Sequence, residues 1–227
     1  MGAPRITVVI PARNEEADIA GCIDALGAQD YPLEDVQLIV VDAGSEDETR
    51  ARVQEAAAPH RFREVLVLDN PARRTSVGLN LGLGRARGAL LARVDARSRI
   101  PPGYLRACEA LLEGHPEIGV VGGSQVAIPR SSRPVDVGIA GALRNRWATG
   151  MSRYRRASVS GPSDTVWMGF FRSDDLRALG GWAEAVALNE DYELNSRYRA
   201  AGRIVWFDAS LRSGYLPRTS LGELSLQ

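Results

Sequence analysis

Ile6-Thr-Val-Val-Ile-Pro11 runs into Ala12-Arg13-Asn14-Glu15-Glu16, and Leu38-Ile-Val-Val-Asp42 runs into Ala43-Gly44-Ser45. Each begins as a β-branched apolar run, the composition of a strand buried on both faces of a parallel sheet. Each stops at polar residues where a helix is expected to begin. In an open parallel sheet the carboxyl ends of the strands form the ligand crevice. Arg13, Asn14, Glu15 and Asp42 are therefore expected to line one pocket.

Outward from these strands, residues 14–28 read as a helix with Ile19, Cys22, Ile23 and Leu26 on one stripe. Ser45 followed by Glu48 fits a capping box opening a second helix through about Ala58. Glu64–Asp69 reads as a third strand, residues 89–95 as a fourth and Ile118–Gly123 as a fifth. A helix over 72–87 is poor on propensity because of Gly78, Gly82 and Gly84, but small residues let it lie close to the sheet. Pro101 and Pro102 open another helix, 101–114. This alternation predicts an α/β fold with a doubly wound, mostly parallel sheet.

The second half reads differently. Residues 130–157 carry Arg130, Arg133, Arg144, Arg146, Arg153, Arg155 and Arg156 among apolar residues. A strand is expected at 165–172 and a helix at 173–179, ended by Gly180-Gly181. A further helix at 190–201 ends at Gly202, and a strand follows at 203–208. With no repeat and no flexible linker, residues 1–227 read as one domain, a nucleotide half (1–128) fused to an acceptor half (129–227).

Composition excludes several classes. The 227 residues hold 28 basic and 28 acidic side chains, so no global field recruits nucleic acid. Every basic residue is arginine, which removes Schiff-base and P-loop lysine mechanisms. Cys22 and Cys108 alone point to a reduced, cytoplasmic interior. His60 and His115 both adjoin prolines in loop-like contexts, against a histidine metal centre. Pro11 and Arg13 break the first apolar run, against a signal peptide, and nothing approaches the roughly 20 apolar residues of a membrane helix. The terminal segment Leu216–Gln227 reads as a helix that starts and stops, the mark of a truncated chain.

Three acidic positions carry the chemistry. Asp42, just past a buried strand, can accept a hydrogen bond from a base N–H or a ribose hydroxyl; the competing role is a helix cap. Ser45 is expected to fill that role, with Glu46, Asp47 and Glu48 as surface acids of the first helical turn. Asp95, in Arg93-Val-Asp95-Ala-Arg97-Ser-Arg99, belongs to a charged cluster suited to a pyrophosphate with or without a divalent ion. A salt-bridged surface turn is the alternative. In Asn189-Glu190-Asp191, Asn189 reads as a cap, and a carboxylate on a helix N-terminus stays ionised and can accept a proton from an attacking hydroxyl.

Together these segments resemble glycosyltransferase family 2, the inverting GT-A group, and within it the bacterial exopolysaccharide branch. The matching residues are Pro11-Ala-Arg-Asn14-Glu15, Val41-Asp42-Ala-Gly44-Ser45, Asn80-Leu-Gly82, Gly169-Phe-Phe-Arg172, Gly180-Gly181-Trp182 and Asn189-Glu190-Asp191. The resemblance implies donor contacts from Pro11, Arg13, Asn14, Glu15, Asp42, Arg74, Asn80, Asp95 and Arg97. It implies Asp191 as general base with Glu190 beside it, and Asp95 as first acid of the Asp-x-Asp signature, holding Mg²⁺ or Mn²⁺. Here the second signature acid is Arg97, which cannot ligate a cation. Either it supplies part of the metal's charge on the diphosphate, or it swings away and leaves a weak metal site. The partners implied are a nucleotide-diphosphate sugar, with a lean to UDP, and a glycan or lipid-linked acceptor at the inner face of the cell membrane. The Gln/Arg-x-x-Arg-Trp motif of processive polymerases has no match. Val135, Val137, Ile139, Leu143 and Trp147 interleave with the arginines of 130–157, a pattern shared by a peripheral membrane contact and by a solvated helix face. The rival readings are a sugar nucleotidyltransferase, whose glycine-rich loop is missing after the first strand, and a non-catalytic binding module, for which Arg97 speaks.

Overall fold

A computed structural model describes residues 2–144, 159–186 and 188–217. The two diagnostic runs are strands β1 (Ile6–Ala12) and β2 (Val36–Asp42), whose core residues are inaccessible on both faces. They pair in parallel with Ala12 opposite Asp42, so both chains leave the sheet at the same level. β3 (Glu64–Asp69) lies outside β2 and β4 (Leu90–Arg93) beside β1, all parallel. α1 (Ile19–Gly27), α2 (Thr49–Ala57) and α3 (Thr75–Arg85) are the crossovers.

Alternation along β1 divides the core between two faces. Val8 and Ile10 pack with Ile19, Ile23 and Leu26 of α1, whereas Val9 packs with Leu79 and Leu83 of α3. Two polar residues within these apolar strands are mutually satisfied: Thr7 Oγ1 donates to Gln37 Oε1 (2.7 Å) and accepts the Gly88 N–H (2.9 Å). As the spacing of small residues predicts, α3 lies close on the sheet; a Cβ at Gly82 would overlap the Val9 side chain.

The chain continues through β5 (Ser98–Arg99), α4 (Tyr104–Gly114), β6 (Ile118–Ala127), α5 (Pro134–Arg144), β7 (Gly161–Pro162), β8 (Trp167–Arg172), α6 (Ser173–Ala178), α7 (Glu190–Ala200) and β9 (Ile204–Tyr215). One sheet runs β3-β2-β1-β4-β8-β6-β9-β5, with β7 also on β9. The parallel order expected from the sequence holds across the first four strands. β8 then inserts antiparallel between β4 and β6.

Several boundaries differ from expectation. α1 starts at Ile19 rather than residue 14, because Asn14 is left-handed (φ 52°) and the backbone up to Asp18 stays in a loop. Ser45 does not cap α2; it turns back and donates both its N–H and Oγ to Asp42 (3.1 and 2.6 Å). Glu48 takes the N-cap position of α2 without a side-chain cap bond. Asn189 precedes α7 in the left-handed region (φ 61°) and likewise makes no cap bond. β9 runs on to Tyr215, well past the expected 208. Arg146, Trp147, Arg153, Arg155 and Arg156, and the tail from residue 218, lie outside the described residues. Among the described residues no helix is long and apolar enough to cross a membrane.

Candidate active site

The loops after β1, β2 and β4 open on a cleft of about 560 Å³. Pro11, Arg13 and Glu15 line it from the first loop, Ala43 from the second, and Asp95 and Arg97 from the third. Gln125, Trp167, Glu190 and Tyr215 close it from the opposite side. A second cavity, about 450 Å³, lies alongside; it shares Trp167 and Glu190 and adds Asp191, Tyr192 and Thr165. Glu190 therefore stands on the wall between the two, with Asp191 facing the smaller one.

Four expected donor residues lie elsewhere. Asp42 sits behind Ala43, only 3% exposed, holding Ser45 and the Arg50 guanidinium (3.1 Å). Asn14 knits the first two loops together: its N–H donates to Ser45 Oγ and its side-chain oxygen accepts the Glu46 N–H, each at 2.9 Å. Asp47 does the same from the other side, accepting from Thr49 and from the Glu16 N–H, so it is not a free surface charge. Asn80 clamps the Gly180–Trp182 turn, donating to Trp182 O (2.8 Å) and accepting its N–H (2.9 Å). Gly181 needs its freedom there, with φ +68° against Asn80. Arg74 donates to Glu184 O (2.7 Å) on the same loop. The neighbouring Arg73 and Thr75 line the cleft instead.

Arg93 was not picked out as a site residue by sequence reasoning. Its buried guanidinium joins three acids: Nε meets Asp95 Oδ1 at 3.0 Å, and Nη1 meets Glu190 Oε1 and Asp191 Oδ1, each at 2.8 Å. Trp167 Nε1 donates to Asp95 Oδ2 (3.2 Å), and Trp182 Nε1 to Asp191 Oδ1 (3.1 Å). Burial lifts the Asp191 carboxyl above its ordinary range, Glu190 and Asp95 add to the rise, and Arg93 opposes it. Arg97 pairs with Glu15 (3.3 Å) and lies over the Tyr215 ring. Arg13 and Arg73 have no acid partner among the described residues.

A backbone signal marks the same place. Among the described residues, the non-glycine positions with positive φ are Asn14, Arg73, Met168 and Asn189. Each lines a cavity or adjoins a residue that does. Such conformations cost of order 1 kcal/mol or more and concentrate at functional sites. The two asparagines are the only ones of the four whose residue type hints at it.

The donor set does not fit a divalent ion held by protein acids. Among the described residues no three His, Cys, Asp or Glu side chains are disposed around one point for a metal. Both oxygens of Asp95 already accept N–H donors, and Arg97 occupies the second signature position.

Comparison with known proteins bears on the fold and the family. The chain is 29% identical over 225 residues to the succinoglycan biosynthesis protein ExoA of Rhizobium meliloti (strain 1021), covering 97% of this chain and 66% of that protein. The mannosyltransferase PcManGT from Pyrobaculum calidifontis, solved in complex with GDP-Man and Mn²⁺, superposes with a TM-score of 0.74 at 22% identity, covering 99% of this chain and 60% of that one. S. aureus TarS 1-349 in complex with UDP gives 0.69 at 16% identity, covering 94% and 60%. The chain thus spans about two thirds or less of the length of these proteins, and the structural likeness shows the GT-A fold. The model for glycosyl transferase family 2 matches residues 7–176, from β1 through most of α6, and on that match the chain belongs to glycosyl transferase family 2.

Proposed function

We propose that this chain moves a sugar from a nucleoside-diphosphate donor to a hydroxyl of a glycan or lipid-linked acceptor, with inversion, in the assembly of exopolysaccharide or another cell-surface glycan. The observation that carries it is the Arg93 bridge, which holds Asp191 of one cavity against Asp95 of the other. The larger cleft suits the donor, with its diphosphate facing Arg13, Arg73 and Arg97. The smaller cavity suits the acceptor. The acceptor oxygen attacks the anomeric carbon, Asp191 takes the hydroxyl proton, and the bond to the diphosphate breaks with its electron pair leaving on the diphosphate. Fixed arginines stabilise that developing charge without reorganising. No step is routed through a metal, and no covalent enzyme intermediate forms, so the anomeric configuration inverts.

The succinoglycan biosynthesis for which ExoA is named supports the exopolysaccharide setting, and the UDP bound by TarS supports the lean to UDP. Val135 and Val137, half-exposed on α5, support an acceptor presented at the inner face of a membrane. Arg130 does not contribute to that surface, because it is paired with Asp18 (2.8 Å).

The test is incubation with UDP- and GDP-sugars and hydroxyl acceptors, following nucleoside diphosphate release and the anomeric configuration of the product by NMR. Release with inversion is expected. Pyrophosphate formed from a sugar phosphate and a nucleoside triphosphate would replace this reading with a nucleotidyltransferase.

A further inference from the structure

Asp95, Glu190 and Asp191 are drawn from segments almost a hundred residues apart, and three carboxylates this close repel one another unless a cation stands among them. Arg93 is that cation. It is the last residue of β4, its side chain is only 9% exposed, and it touches all three acids at 2.8–3.0 Å. Two residues past Asp95 comes a second cation, Arg97, whose Nη1 is buried without a hydrogen-bond partner. A divalent ion seeking Asp95 would have to compete with the Arg93 guanidinium and the Trp167 indole N–H for its two oxygens. Arg93 offsets one of the three negative charges, and the Trp167 and Trp182 indole N–H groups donate to Asp95 and Asp191. Arg13 and Arg73 line the cleft with no acid partner among the described residues, which leaves their charge available to a diphosphate.

We propose that Arg93 is the resident cation of this centre, held among Asp95, Glu190 and Asp191 in the orientation in which they stand, so that the nucleoside diphosphate is bound by protein arginines without metal. The part concerning the diphosphate rests on the transferase reading of the cleft; the part concerning the cation does not. Arg93 is a positioning residue: it acts through the three carboxylates.

The experiment uses the whole chain, stripped with chelator, in two titrations. Mn²⁺ alone is followed by electron paramagnetic resonance, and UDP and GDP are titrated calorimetrically with and without Mn²⁺. The wild type is expected to show no saturable Mn²⁺ uptake, and its diphosphate affinity should change by less than about threefold when Mn²⁺ is added. R93M, which frees the three acids while keeping a long side chain, should acquire a Mn²⁺ site, and R93K, which keeps the charge, should not. One Mn²⁺ bound per wild-type chain, with diphosphate affinity rising by about tenfold or more, overturns the proposal. So does a folded R93M that takes up no Mn²⁺. Should R93M fail to fold, the wild-type Mn²⁺ titration decides alone. Failure of both UDP and GDP to bind would sink the transferase reading, while the Mn²⁺ titration still judges the cation.

Discussion

At Asp191 burial favours the protonated carboxyl, Glu190 and Asp95 push the same way, and Arg93 with the Trp182 indole N–H pulls back. The first set prevails, so the group titrates above the usual carboxylate value of about 3.9. A base must be ionised to accept a proton; activity is therefore present above that raised pKa and lost as pH falls through it. The acid limb of kcat/KM is expected to lie above the usual carboxylate range and to disappear from the residual activity of D191N, as a pH–rate series would show. Arg13 and Arg73 carry a second prediction. R13A and R73A should each weaken UDP or GDP binding by about tenfold, ~1.4 kcal/mol, by calorimetry. At this scale the sequence pointed to the cleft-lining positions of Glu15, Asp95, Arg97 and Glu190, because they follow strand ends or open a helix. Arg93 was hidden: its partners Glu190 and Asp191 lie 97 and 98 residues away, and only folding brings them together. Asn14, Arg74 and Asn80 sit in the right motifs, yet their side chains are engaged with neighbouring backbone.

At the scale of elements, α3 tests the packing argument. A methyl added at Gly82 raises helix propensity by up to about 1 kcal/mol but meets the fully buried Val9. Overpacking of about 1–3 kcal/mol opposes that gain. G82A should therefore lower the urea midpoint, and V9A combined with it should cost less than the two changes summed, since truncating Val9 opens the space the new methyl needs. The strands were legible because β1 and β2 are apolar on both faces. The helix starts were not, because Asn14 and Asp47 cross-link two loops where capping patterns predicted first turns. β9 was read short because its later residues alternate buried and exposed across irregular pairing with β6.

Over the whole molecule, one sheet positions both cavities, with the larger cleft at the ends of its parallel strands β1, β2 and β4 and β8 inserted beside β4. The two thiols report on that core. Burial pushes Cys22 up to about 12 and Cys108 higher still, and both are inaccessible. Neither should react with an aromatic disulfide reagent at pH 8 in the native state, and both should react on unfolding.

The central claim is that Asp191, facing the smaller cavity next to Glu190 on the shared wall, is the base. The measurement that meets it most directly is turnover by D191N, whose amide keeps the shape of the carboxylate, beside titration of the same protein with UDP or GDP. The account predicts a ~10²–10⁴-fold loss of sugar transfer with diphosphate affinity close to wild type. Transfer at the wild-type rate would contradict it.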